Sequence, residues 1–284
     1  MRELSYVAPR DLNEAIEALL KFKGRAKVVA GGTNFIPDMR SGAVAPGAII
    51  DLSKLRDLSY IKEKNGIVSI GALATMSEIA TSEVIRNQSP ILSLAARRLG
   101  NPLTRNRATV GGNLAHASPA ADTAPPLLAM EASVRIRGGS GGSREIPLDQ
   151  FFRGPNQTVL EEDEIITEIT FAKKEDPTRS SHFKLGLRNA MAISVVTIAV
   201  MLEMDGKVCR KARVALGAVA PNPIRAYRVE GLLAGKEIDS GTIDACAAAV
   251  RDEISPISDI RASAEYRKTV TLVLLQRAIR EALA

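Results

Sequence analysis

Residues 109–130 read TVGGNLAHASPAADTAPPLLAM, two adjacent glycines and a short polar stretch set ahead of an apolar run. Such a segment makes either an elaborate turn or a backbone cradle for an anion, because glycine permits close approach and positive φ where several N–H groups must converge. A second pair, Gly31-Gly32, stands in KVVAGGTNF at 27–35. It follows a short β pattern from Lys27 to Ala30 and so lies at the carboxyl end of a strand, where open α/β layers place ligands. One glycine pair by itself serves a turn as readily as a site. Two pairs with Thr33, Asn34, Thr109 and Asn113 beside them point to one extended anionic ligand gripped from both sides, and a pyrophosphate is bound most economically this way.

Outward from these loops, the chain alternates helix and strand signals. Leu12, Ala15, Ile16, Leu19 and Leu20 share one helical face, with Asp11 placed to cap the start and Gly24 the end. GAIIDLS at 47–53 reads as a second strand of the layer that begins at Lys27. From about residue 56 the elements shorten: 60–62 and 67–70 form a hairpin across Asn65-Gly66, Thr75 and Glu78 make a capping box, and a helix starts at Ser89-Pro90 with Ile91, Leu94 and Ala95 inward, ending at Gly100. ASVRIRG is a strand, GGSGG a flexible turn, and EIITEITF a further strand with Ile165, Ile169 and Phe171 on one side. AKKEDPTRSS at 172–181 reads as a linker. Beyond it AISVVTIAVMLEM and KVCRKARVALGAV form a long hairpin about Asp205-Gly206, and helices follow near 242–253 and 264–283, the last with an apolar stripe of Tyr266, Val270, Val273, Leu274 and Leu283.

Composition narrows the function. At 284 residues with 45% hydrophobic content, the chain can bury a large core and fits about two domains. No apolar stretch of roughly 18 residues is free of charge and no signal-peptide core follows Met1, so the sequence predicts a soluble, cytoplasmic protein with no membrane span. Only Cys209 and Cys246 are present, without a CxxC, so a cysteine-ligated iron–sulfur cluster must belong to a partner. Aromatic content of 4% with no Trp leaves few stacking platforms for nucleic acid, and the net charge of +6 suits an anionic ligand or an acidic partner. His116 and His182 are the only histidines and predict no metal site, and no G-x-S-x-G supports hydrolysis. Met191, Met201 and Met204 read as core filling.

VVAGGTNFIPDMR and RNRATVGGNLAHASPAADTAPPLLAM closely resemble the two flavin-binding segments of the FAD-binding subunits of molybdenum hydroxylases, the family of xanthine dehydrogenase and of the carbon monoxide dehydrogenase medium subunit. FFRGPNQTVLEEDEIITEI resembles the end of that family's FAD-binding domain. FKLGLRNAMAISVV, ARVALGAVAPNPIRA and SAEYRKTVTLVLLQRAI resemble its C-terminal domain, so the likeness spans nearly the whole chain. It implies an α+β protein: a two-lobed α/β FAD-binding domain of the PCMH type over 1–174, with lobes at about 1–55 and 56–174, then an α+β domain over 180–284. It implies that Val29, Ala30, Gly31, Gly32, Thr33, Asn34, Phe35 and Ile36 wrap part of the FAD diphosphate and that Thr109, Gly111, Gly112 and Asn113 close it from the second loop. Asp122, Ile166 and Lys184 match further cofactor-contacting positions, Asp122 with a carboxylate suited to sugar or ribityl hydroxyls.

The implied role is electron relay without a catalytic side chain or a metal in this chain. Substrate is oxidised at a molybdenum cofactor in a large subunit, [2Fe-2S] clusters in a small subunit carry electrons, and FAD passes them to NAD or another acceptor. A self-sufficient flavin reductase would instead need its own substrate pocket and proton donor, and no motif for either stands out. A scaffold that kept only the fold would bind little flavin. The sequence departs from relatives in three respects: its two cysteines rule out the inserted cysteine-bound cluster that one branch carries in this subunit, residues 181–205 offer only Phe183 as a ring to cover a flavin, and AGGTN lacks the histidine that certain relatives carry after the glycines.

Overall fold

The computed structural model describes residues 4–139, 142–174 and 178–284. The first lobe is a three-stranded parallel sheet: β1 (Ser5–Val7), α1 (Leu12–Phe22), β2 (Ala26–Val29), α2 (Phe35–Ser41) and β3 (Ala48–Asp51), in the order β1-β3-β2. Parallel neighbours need crossover connections, and α1 and α2 supply them. The Asp11 side chain accepts from the Glu14 amide as expected, and Lys23 closes α1 in the left-handed region, one residue before the Gly24 expected to end it. Ala15, Ile16 and Leu19 pack with Ala48 and Ile50 as the core of this lobe.

The second lobe is built on an antiparallel sheet flanked by short helices. Its elements are β4 (Ile61–Lys64), β5 (Ile67–Gly71), α3 (Met76–Thr81), α4 (Glu83–Gln88), α5 (Pro90–Arg98), α6 (Pro102–Arg105), α7 (Val110–His116), α8 (Ala124–Ala129), β6 (Ser133–Arg137), β7 (Ser143–Pro147), β8 (Phe152–Gly154), β9 (Gln157–Thr158) and β10 (Ile165–Ala172). The sheet order is β4-β5-β10-β6-β7, with β8 and β9 a separate hairpin. Asn65 and Gly66 both have positive φ, as the two-residue turn requires, and the Thr75–Glu78 capping box forms in both directions. Ser140 and Gly141 of the glycine-rich turn lie outside the described residues.

Four expectations are corrected here. The second glycine pair is not a loop: Thr109 caps α7 and Gly111-Gly112 form its first turn. A bulge between Ile166 and Glu168 switches faces along β10, so Ile165 joins the core of the first lobe while Ile166, Ile169 and Phe171 join that of the second. The linker shrinks to 173–177, of which 175–177 lie outside the described residues, because Ala172 and Thr178 already belong to strands. Met191 is 52% exposed while Met201 and Met204 are buried.

The C-terminal unit comprises β11 (Thr178–Gly186), β12 (Ser194–Asp205), β13 (Val208–Gly217), β14 (Ile224–Arg225), α9 (Tyr227–Leu233), β15 (Lys236–Glu237), α10 (Ser240–Val250) and α11 (Ala264–Leu283). Both faces of its sheet are covered. Ala199, Met201 and Ala215 join the core of the second lobe, whereas Ile198, Val200 and Leu202 pack under the helices of the C-terminal unit. A strand buried on both sides needs a continuous apolar run, which explains SVVTIAVMLEM. On α11 the inward face is Arg267, Thr271, Leu274, Leu275, Ala278, Ile279 and Ala282, and Tyr266 and Val273 point outward, so the stripe assigned from sequence is rotated. The rotation has a local cause: Arg267 turns inward to donate to the carbonyls of Val195 (2.6 Å) and Ala218 (3.0 Å).

Candidate functional site: a cleft between the lobes

A cleft of about 1340 Å³ separates the first lobe from the second, with the end of the C-terminal sheet at its rim. Its first wall is the exit of β2 and the turn that follows. Ideal placement puts a Cβ on Gly31 only 1.8 Å from the Arg107 carbonyl oxygen, so the two loops touch here and any side chain would force them apart. The backbone amides of Gly31, Gly32, Thr33 and Asn34 donate to no protein acceptor among the described residues. Four consecutive free donors on the cleft wall make a site for anionic oxygens.

The second wall is organised differently. Thr75 and Thr109 form an isolated antiparallel bridge, and through it Val110 donates to Ala74 (3.0 Å) and Gly111 to Ala72 (2.9 Å). The Gly112 amide reaches the Thr109 hydroxyl (3.2 Å) and Asn113 the Thr109 carbonyl (2.9 Å). These amides already have acceptors, which corrects the expectation of a second nest of donors. Gly111 is needed because a Cβ would press on Ala72 at 2.7 Å, whereas a Cβ on Gly112 would meet only the Thr109 hydroxyl at 2.9 Å and otherwise face the cleft. Asn113 receives the Thr123 hydroxyl on Oδ1 (2.6 Å), which leaves its Nδ2 without a protein acceptor among the described residues.

At the rim, Asp122 is buried and occupied on both oxygens: Lys184 Nζ lies 2.7 Å from Oδ2 and the Ser194 hydroxyl donates to Oδ1 at 2.9 Å. Burial pushes the Asp122 carboxyl above the usual carboxylate range, while Lys184 and Ser194 pull it back. The remaining wall includes Ile165 and Ile166 from β10, Ala192 and Ile193 before β12, and the β8–β9 hairpin. That hairpin is pinned to the end of α7 by Asn156, whose amide donates to Ala117 (2.9 Å) and whose side chain donates to the His116 carbonyl (2.9 Å).

Of the fifteen residues singled out from sequence, all line the cleft except Ile36 and Lys184. The Ile36 side chain folds back toward Gly32, 3.1 Å from where a Cβ would stand, and Lys184 is committed to Asp122 and to the Arg98 carbonyl (3.4 Å). Sequence reading missed His116, Arg153, Asn156, Leu160 and Ile193, which also line it. The turn residues Gly154-Pro155-Asn156 were a signal for the hairpin, but nothing local shows which loop it meets.

Residues 2–173 match the model of the FAD binding domain in molybdopterin dehydrogenase, and residues 181–282 match the CO dehydrogenase flavoprotein C-terminal domain. The chain belongs to that molybdopterin dehydrogenase FAD-binding family. The glyceraldehyde dehydrogenase medium chain of Sulfolobus acidocaldarius is 31% identical over 282 residues, covering 98% of both chains. The xanthine dehydrogenase FAD-binding subunit of Escherichia coli O157:H7 is 31% identical, over 99% of this chain and 96% of that one. A solved carbon monoxide dehydrogenase from Hydrogenophaga pseudoflava superposes with a TM-score of 0.96 at 31% identity, covering 99% of this chain and 97% of its own. This molybdopterin dehydrogenase flavoprotein is thus an oxidoreductase component, its cofactor is FAD, and the resemblance seen in the two glycine segments extends through both units of the fold. The cleft fits that group: the free amides at Gly31 to Asn34 suit a diphosphate, and the volume exceeds the 300–1,000 Å³ or so that drug-sized ligands occupy.

Proposed function

We propose that the protein is the flavin relay of a molybdenum hydroxylase complex: it takes electrons from [2Fe-2S] clusters of a small subunit, after oxidation of substrate at a molybdenum cofactor in a large subunit, and hands them through FAD to NAD or another acceptor in the cytoplasm. The observation that carries this reading is the two-walled cleft, with free backbone donors on one side only. Bound flavin supplies the ability to exchange electrons singly or in pairs, and the protein binds and orients it.

The amides of Gly31, Gly32, Thr33 and Asn34, with Val29, Ala30 and Phe35 beside them, hold the diphosphate. Thr109, Gly111, Gly112 and Asn113 form the opposing wall, and Ile166 provides an apolar surface. The Asp122–Lys184 pair fixes the rim where residues 1–174, the FAD-binding domain, meet residues 180–284. Because those two charges are engaged with each other, neither is free to shuttle protons, consistent with a relay that needs no acid or base from this chain. Among the described residues no helix is long and apolar enough to cross a membrane.

The test is anaerobic reduction of the assembled complex with substrate, followed at the flavin and iron–sulfur absorption bands, then addition of NAD. The flavin should be reduced after the clusters and reoxidised by the acceptor. Clusters that reduce while the flavin stays oxidised would exclude the relay, and a flavin that reduces but yields no NADH would assign another acceptor.

A further inference from the structure

The seam between the second lobe and the C-terminal unit carries a charged cluster. Met201 on β12 stands opposite Arg213 on β13, and Met201 packs into the core of the second lobe. Arg213 is buried and meets two carboxylates, Glu131 beyond α8 (3.0 Å) and Glu203 on β12. Lys211 also pairs with Glu131 (2.7 Å), and Arg225 joins Glu230 (2.7 Å). Three cations therefore meet three carboxylates, and the cluster is balanced without any further charge.

Lys174 is the surplus. It follows β10 where the two units join, its side chain is half-buried, and its Nζ lies 3.1 Å from Met201 Sδ. Among the described residues no carboxylate stands at ion-pair distance from it, whereas Lys173, its neighbour in the chain, pairs with Glu63 (3.3 Å). A thioether is a weak acceptor and offers no counter-charge. Burial, with Arg213 and Lys211 close by, outweighs the pull of Glu203 and Glu131 and pushes the Lys174 pKa down to about 7.

The consequence is chemical. At pH 7 about half of an amine so placed is uncharged, against fewer than roughly one in a thousand for an ordinary lysine. The uncharged amine is a nucleophile and the ammonium is not. Its surroundings also select the product: an N-acyl lysine is a neutral amide, so acylation leaves the three cations and three carboxylates matched. The partly covered position admits a small donor.

We propose that Lys174 is a modification site, a nucleophilic amine that accepts an acyl group from a small acyl phosphate. The Nζ lone pair attacks the carbonyl carbon, the bond from that carbon to the phosphate oxygen breaks, inorganic phosphate leaves and the amine proton passes to solvent. No oxidant or reductant takes part. Lys174, Met201, Lys211, Arg213, Glu131 and Glu203 are all absent from the walls of the cleft, so the proposal is independent of the flavin.

The test is competitive labelling of the full chain with FAD bound, using trace acetic anhydride from about pH 6 to about pH 10, with each lysine followed by peptide mass spectrometry. At pH 7 Lys174 should label roughly tenfold or more faster than Lys173 and Lys211, and its rate should level off near pH 8 while theirs keep rising. The preference should vanish in urea. With acetyl phosphate at pH 7, Lys174 should be the first lysine acetylated. Lys174→Gln should remove that product and melt at or above the parent's temperature, because a neutral amide keeps the cluster balanced. Labelling of Lys174 no faster than Lys173 and Lys211, or a rate that climbs with theirs to the alkaline end, would overturn the proposal. So would a preference that survives in urea, since the folded cluster would not be its cause. Fast reaction with the anhydride but none with acetyl phosphate would overturn the acyl phosphate as donor, and a Lys174→Gln chain that melts well below the parent would show that the cluster needs the ammonium.

Discussion

Asp122, ahead of α8, and Lys184, on β11, form a buried ion pair with Oδ2 and Nζ 2.7 Å apart, joining the second lobe to the C-terminal sheet. Ser194 from β12 takes the other carboxylate oxygen. Asp122→Ala leaves a buried ammonium without its counter-charge and should cost about 3–5 kcal/mol in urea unfolding of the flavin-free chain. Replacing both residues, as Asp122→Ala with Lys184→Met, should recover most of that loss. A double variant no more stable than the single one would show that the pair is not what joins the units.

This pair also shows where sequence reading reaches its limit. The glycine segments, the Asn65-Gly66 turn and the Thr75 capping box were legible because each depends on residues adjacent in the chain, and the long hairpin about Asp205 because its apolar run is uninterrupted. Asp122 was found as a residue of the site, but its pairing with Lys184 and Ser194 was not, since they come from strands more than sixty residues away. The same holds for the amides of α7: that Gly111 donates to Ala72 follows from the Thr75–Thr109 bridge, a contact no local pattern encodes. Arg267 went unseen because a charged residue at an inward helix position reads as solvent-facing until the carbonyls of Val195 and Ala218 are placed beside it.

His182 is buried on β11 with neither ring nitrogen partnered among the described residues, and burial beside Arg98 and Lys184 pushes its pKa down to about 3. Below the ordinary value of 6.5 the unfolded chain binds a proton that the native chain refuses, so stability falls as pH drops from 6.5 toward 3. The contribution is on the order of 5 kcal/mol at most. His182→Leu should flatten this acid limb and be neutral or stabilising at pH 7, because it removes two orphaned nitrogens. Chemical unfolding of both proteins across this pH range is the measurement, and parallel curves would exclude the assignment.

Cys209 and Cys246 are both buried, and burial pushes the Cys246 thiol up to about 11. The thiolate is the reactive form, so both cysteines should be inert in the native chain and react with a thiol reagent only through opening of the C-terminal unit. The reaction rate should rise with urea in step with unfolding. Rapid labelling of either residue under native conditions would contradict the packing of β13 and α10 in the core of the C-terminal unit.

Gly31 and Gly112 separate two reasons for glycine at one site. A side chain on Gly31 collides with the Arg107 backbone carbonyl, a group that cannot turn away, so Gly31→Ala should part the two walls, lose FAD and destabilise the chain by about 1–3 kcal/mol. Gly112 has no such neighbour apart from the Thr109 hydroxyl, and its amide is already capped. Gly112→Val should therefore leave a folded chain, with a melting temperature close to the parent's when both are stripped of flavin, yet fill the space opposite the free amides of Gly31 to Asn34 and abolish FAD binding. Flavin content and thermal melts of the two variants distinguish the roles. If Gly112→Val retains FAD, the wall formed by α7 does not contact the cofactor; if Gly31→Ala melts like the parent, the two loops are not in the close contact on which the cleft depends.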